Sequence, residues 1–192
     1  MDPFRPIPKE FYAFETDEPF EACMVCKADL MAGDVDYFIE KAIRNYPEHE
    51  VSDVVYEYAL CSLCAHDMNE KMSQESLESM QSYFSGNQEF LRKINDYNQN
   101  WQSLSEQPLS ENCAITGDHK SNLSEYMIYG HFKGNQMITS TMPFLLSGKV
   151  LDDVAELLSD ETIDELDNFM GEYFGGPPEL EELWKPRRPV FF

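Results

Sequence analysis

Positive charge is what this sequence has least of. Its 192 residues carry 14 Lys and Arg against 36 Asp and Glu, for a net charge of −22. Such a surface repels phosphate backbones and anionic membranes, so neither nucleic acid nor a membrane is expected as a partner. The basic residues near the C-terminus, Lys185, Arg187 and Arg188, are too few for a nucleic-acid footprint. No apolar run approaches the roughly 20 residues that span a bilayer. The opening stretch, MDPFRPIPKEFYAFETDEPF, lacks the basic start and apolar core of a signal peptide. Together these absences predict a cytoplasmic protein in a reducing compartment, where cysteine pairs hold metal more often than they form disulfides.

Catalytic signatures are missing as well. The chain has no GxGxxG, no phosphate-cradling GxxxxGK followed by Ser or Thr, and no HExxH. Histidine is scarce, with His49, His66, His119 and His131 the four present. Cys113 with His119 or His131 would make a nucleophile and base on paper, but no oxyanion-type turn marks a nucleophile. His66 follows Cys64 by two and reads as a solvent-facing or second-sphere residue.

What is present is a folding composition, with 42% hydrophobic and 13% aromatic residues. Four of the five cysteines stand in two pairs, CMVC (Cys23, Cys26) and CSLC (Cys61, Cys64). Two residues between cysteines let a tight turn aim both sulfurs at one ion, and two such turns complete a tetrahedron. Thiolates are soft ligands that favour zinc or an iron–sulfur cluster over magnesium or calcium. The expectation is one structural zinc per chain on Cys23, Cys26, Cys61 and Cys64. An iron–sulfur cluster and a redox use of the pairs are the alternatives.

Around the pairs the pattern is legible. Residues 1–20, with four prolines, read as an extended lead-in. DYFIEKAI and VVYEYAL read as two strands joined by the polar loop NYPEHEVSD. Helices follow, with Ser73 as a cap before Leu77, Met80, Tyr83 and Phe84, and a second stripe of Phe90, Leu91, Ile94, Tyr97 and Trp101. The polar stretch 103–112 is a linker. In the second half, EYMIYGHF and MITSTMPFLL read as strands around the turn KGNQ. A helix with Val150, Leu151, Val154, Leu157 and Leu158 comes next, then one capped by Ser159 with Ile163, Leu166, Met170 and Tyr173. The chain closes with a helix stop, FGGPPEL, and a proline-bearing tail.

CMVCKADL, a two-stranded stretch and CSLCAHDM resemble, in that order, the treble-clef type of zinc module. There a knuckle supplies one ligand pair, a hairpin follows, and the second pair opens a helix. The resemblance covers about residues 20–84 and implies a scaffold, not an activity.

The order of events then repeats. CMVC falls on CAIT, DYFIEKAI on EYMIYGHF, and SQESLESM from Ser73 on SDETIDEL from Ser159. The positions of Cys23, Cys26, Cys61 and Cys64 are then taken by Cys113, Thr116, Ser147 and Val150. Cys113 becomes a relic of a lost site. The predicted fold is α+β, with two tandem hairpin-plus-helices modules. The division is 1–20 lead-in, 21–102 zinc module, 103–112 linker, and 113–192 metal-free copy with tail.

The function expected is binding of a protein partner rather than catalysis. The aromatic ends, Glu10–Phe14 and Arg187–Phe192, are candidate anchors or simply wrap the chain's own core. Alternatives are an enzyme with a site between the two copies, or an acidic decoy for a nucleic-acid-binding protein. For the decoy, the densest acidic run is Asp152–Asp167, with eight carboxylates.

Overall fold

The computed structural model describes residues 4–100, 110–138 and 144–175, without the side chains of 47 and 96–100. It is an α+β arrangement in which one antiparallel sheet draws strands from both halves of the chain. The first half supplies β1 (Phe4–Pro6), β2 (Asp36–Tyr46) and β3 (Val51–Cys61). It continues with the helices α1 (Ser62–Lys71), α2 (Gln74–Gly86) and α3 (Gln88–Asn100). The second half supplies β4 (Glu125–Lys133), β5 (Gln136–Ile138), β6 (Phe144–Ser147), α4 (Gly148–Ala155) and α5 (Asp160–Phe174).

The strand order is β1-β5-β4-β2-β3, and β6 also pairs with β4. The seam between halves is β2 against β4, from Asp36 opposite Lys133 to Arg44 opposite Glu125. Its centre is Glu40 opposite Tyr129. Under the sequence alignment these two positions superpose, and so do Asp36 with Glu125 and Arg44 with Lys133. The seam therefore has a local twofold symmetry, with an acid facing a base at each end. At one end Arg44 and Glu125 form an ion pair at 3.1 Å.

Register assigns the two faces of the sheet. Tyr37, Ile39 and Lys41 share a face with Ile128, Gly130 and Phe132. This face is covered by the N-terminal segment, whose fully buried Phe11 meets Phe132 at 5.1 Å between ring centres. The other face carries Glu40, Ala42, Tyr56, Tyr58, Met127 and Tyr129. Helix α5 lies over it, with Phe169 edge-on to Tyr58 and Phe174 against Tyr56. Because both faces are covered, the middle of β2 and most of β4 are buried without alternation.

Several expectations change in detail. The strands of the first hairpin are longer than the sequence suggested, leaving 47–50 as the turn, with Glu50 in a left-handed conformation. The polar residues at that end join the ladder because backbone pairing does not require a buried side chain. Within the lead-in, Phe4–Pro6 pairs with β5 at the sheet edge, where proline's missing donor is tolerated. Of the expected return strand Met137–Leu146, residues 139–143 lie outside the described residues. β5 and β6 pair with separate stretches of β4, because six residues separate Met137 from Phe144 where two separate Tyr129 from Phe132.

The helices bury Met80, Phe84, Val150, Leu151, Val154, Leu166 and Met170 as their spacing predicted. Phe169 joins them, and Leu77 and Leu91 stay partly exposed. Helix α3 bridges the halves. Phe90 packs between Phe84 and Phe144, and the Lys93 ammonium donates to the Ala114 carbonyl at 3.3 Å. Trp101, most of the 103–112 linker and the tail beyond Gly175 lie outside the described residues. Among the described residues no helix is long and apolar enough to cross a membrane.

Candidate metal centre

Two local structures bring the four paired cysteines together. Cys23 opens a tight turn closed by Lys27 N–H donating to the Cys23 carbonyl at 3.0 Å and Cys23 N–H donating to the Ala28 carbonyl at 2.9 Å. Lys27 takes a left-handed conformation (φ 61°) to complete it. The turn is anchored to β3 by Met24 N–H donating to the Ala59 carbonyl at 2.9 Å. On the other side Cys61 is the last residue of β3 and the N-cap of α1, and Cys64 lies in the first turn of that helix. The positive end of the helix favours thiolate charge at both positions.

The Sγ atoms of Cys23, Cys26, Cys61 and Cys64 all lie within 4.8 Å of one another. Cys26 and Cys61 are 3.7 Å apart, and all five cysteines are free. A tetrahedron with metal–sulfur bonds of about 2.3 Å has edges of about 3.8 Å, whereas a disulfide is near 2.05 Å. The spacing therefore suits ligands around an ion.

The electrostatics point the same way. Burial raises the Cys23 thiol, but backbone N–H groups of Cys61, Cys26 and Val25 outweigh it and bring its pKa to about 7. Burial and the neighbouring sulfurs push Cys64 well above the usual range, and burial raises Cys61. Four thiolates crowded together resist ionising jointly, and a cation at their centre removes that conflict. The donor set fits a soft metal ion.

The second half repeats this geometry without the ligands. Cys113 N–H donates to the Asp118 carbonyl at 2.8 Å, and Gly117 N–H to the Cys113 carbonyl at 2.9 Å. Gly117 is left-handed (φ 79°), in the position of Lys27. Ala114 N–H donates to the Leu145 carbonyl at 2.8 Å, matching Met24 and Ala59. The backbone N–H of Ser147 reaches Cys113 Sγ at 3.3 Å, as that of Cys61 reaches Cys23 Sγ at 3.4 Å. Where Cys61 makes no side-chain cap, Ser147 Oγ accepts from Val150 N–H at 3.4 Å. A hydrogen bond thus joins the two positions that a metal would join in the first half. Val150 is buried in the place of Cys64.

Cys113 is fully buried, and hydrogen bonds from Thr116 and Ser147 hold its pKa down against burial. None of its partners is a histidine. His119 interacts with Ser121 and Glu111, and His131 stacks on Phe38 at 4.6 Å near Asp36. His66 is exposed on α1 beside Glu70. Among the described residues the four paired cysteines are the one cluster of this kind with metal-binding geometry.

Sequence reasoning missed an ion pair made by a buried lysine. The Lys41 ammonium lies 2.9 Å from Glu57 and donates to the Tyr12 carbonyl at 2.6 Å. Lys41 and Glu57 sit opposite each other on β2 and β3, so the strand register held the signal. Beside Glu57 opens a groove of about 390 Å³ lined by Phe14, Phe20, Val54, Tyr56 and Phe174.

No protein-family model, no curated protein and no solved structure matches the chain.

Proposed function

We propose that this chain is a non-enzymatic, zinc-stabilised cytoplasmic protein that acts by binding another protein. The observation that carries the metal part is the convergence of four cysteine sulfurs, one pair at a tetrahedral edge length. Four protein thiolates fill a tetrahedron and leave no position for substrate or water, so the ion is structural. Zinc is the soft, redox-silent ion that suits such a set.

The scaffold is a treble-clef-like module followed by a metal-free copy of itself. The twofold seam about Glu40 and Tyr129, and the matched hydrogen bonds around Cys23 and Cys113, support duplication. In the second copy a capped helix and a buried valine replaced the ion, while the fold remained.

A fold kept without its ligands still offers surface. The groove under Phe14, which is 63% exposed, is the described surface that suits a partner's apolar anchor. Affinity capture from native cytosol tests the reading. A partner enriched on the wild-type chain and lost with Phe14→Glu supports it. Equal recovery on both chains, or no enriched partner, contradicts it.

A further inference from the structure

The four candidate ligands differ in access. Cys23, Cys61 and Cys64 are buried, whereas Cys26 is exposed. The Cys26 sulfur lies 3.7 Å from that of Cys61, across the join between the two ligand pairs. Accessible thiolates with a second cysteine within reach are the sites that oxidants select.

We propose that Cys26 is an oxidation site, at which hydrogen peroxide converts the Cys26–Cys61 pair to a disulfide and opens the metal centre. The inference rests on the zinc reading above. In the first step the Cys26 thiolate attacks one peroxide oxygen. The O–O bond breaks, hydroxide leaves, and Cys26 becomes a sulfenic acid. In the second step the Cys61 thiolate attacks the Cys26 sulfur, the S–O bond breaks, and a second hydroxide leaves. The two thiolates give up two electrons in all, and one peroxide becomes two hydroxides. The disulfide removes two of the four ligands and with them the hold on the ion.

The chain contains its own control. Cys113 occupies the place of Cys23 in the second half, fully buried, with the exposed Thr116 where Cys26 would be. It has no entry sulfur and stays reduced.

The test treats the full-length, zinc-loaded chain with hydrogen peroxide. A chromogenic chelator follows zinc release, and alkylation with peptide mass mapping follows each sulfur. The expected result is one zinc released per Cys26–Cys61 disulfide, at least roughly tenfold faster than any change at Cys113, and restored by thiol and zinc. A first disulfide within either CxxC pair, oxidation of Cys113 at the same rate, or zinc retained after disulfide formation overturns the proposal. Zinc content before peroxide reports separately on the structural-zinc reading.

Discussion

The hydroxyls of Ser73 and Ser159 lie 2.8 Å apart, although each caps a different helix. The contact is reciprocal. Ser73 N–H donates to Thr162 Oγ1 and Ser159 N–H donates to Ser76 Oγ, both at 2.9 Å. Each hydroxyl also accepts from the first turn of its own helix. The starts of α2 and α5 are thus joined through one buried hydroxyl cluster, with Ser76 and Thr162 fully buried. Ser73→Ala and Ser159→Ala should each cost about 1–2 kcal/mol as lost caps. The double substitution should depart from their sum by about 0.5 kcal/mol or more, because they share a network. Urea unfolding of the four chains checks this, and strict additivity contradicts it.

Gly130 is needed for space rather than for its backbone angles. A Cβ there would stand 2.5 Å from the Phe132 ring and 2.9 Å from that of Phe11. Both rings are fully buried, so neither can swing away cheaply. Gly130→Ala should destabilise the chain by about 1–3 kcal/mol, the usual cost of overpacking. Gly33→Ala, with nothing within 4 Å of its Cβ, is the control and should change little. Thermal melts of the two variants separate the outcomes.

Lys41 is 5% exposed and its charge is answered by Glu57 and the Tyr12 carbonyl. Lys41→Ala should cost roughly 3 kcal/mol or more, because Glu57 is left without its buried counter-charge. The pair Lys41→Met with Glu57→Gln should recover most of that loss. If the double variant is no more stable than Lys41→Ala, desolvated charge is not what the pair controls. Denaturant midpoints read both variants.

His131 gives the fold a pH dependence. Burial lowers its pKa below the ordinary 6.5; Asp36 opposes the shift and Lys133 adds to it. The neutral ring is therefore the native form, stacked on Phe38. The unfolded chain takes up its proton as pH falls through about 6.5, before the folded chain does. The contribution is present above that pH and is lost as pH falls below it. Melting temperature should drop from pH 7 to pH 5 in the wild type and drop less in His131→Gln. Equal slopes contradict the assignment.

Much of this was legible in the sequence, for identifiable reasons. The cysteine pairs, the caps Ser73 and Ser159, and the strands DYFIEKAI and EYMIYGHF are local signals, set by spacing and residue type. The seam between β2 and β4 was not, because which strands pair depends on contacts far apart in the chain. The pairing of β5 and β6 with separate stretches of β4 is long-range in the same way. Phe11 lies in the core, as one reading of the aromatic stretch Glu10–Phe14 had it, whereas Lys41 was hidden by a charge that normally marks the surface. Most of the matched hydrogen bonds at Cys113 are backbone contacts, which no side-chain pattern reports.

Metal analysis of the purified full-length chain, with its substituted forms, addresses the central claim most directly. Elemental analysis should find one zinc per wild-type chain, none held tightly after Cys61→Ser, and one retained after Cys113→Ser. Zinc absent from the wild type, iron in its place, or zinc lost with Cys113→Ser would contradict a single structural site on Cys23, Cys26, Cys61 and Cys64.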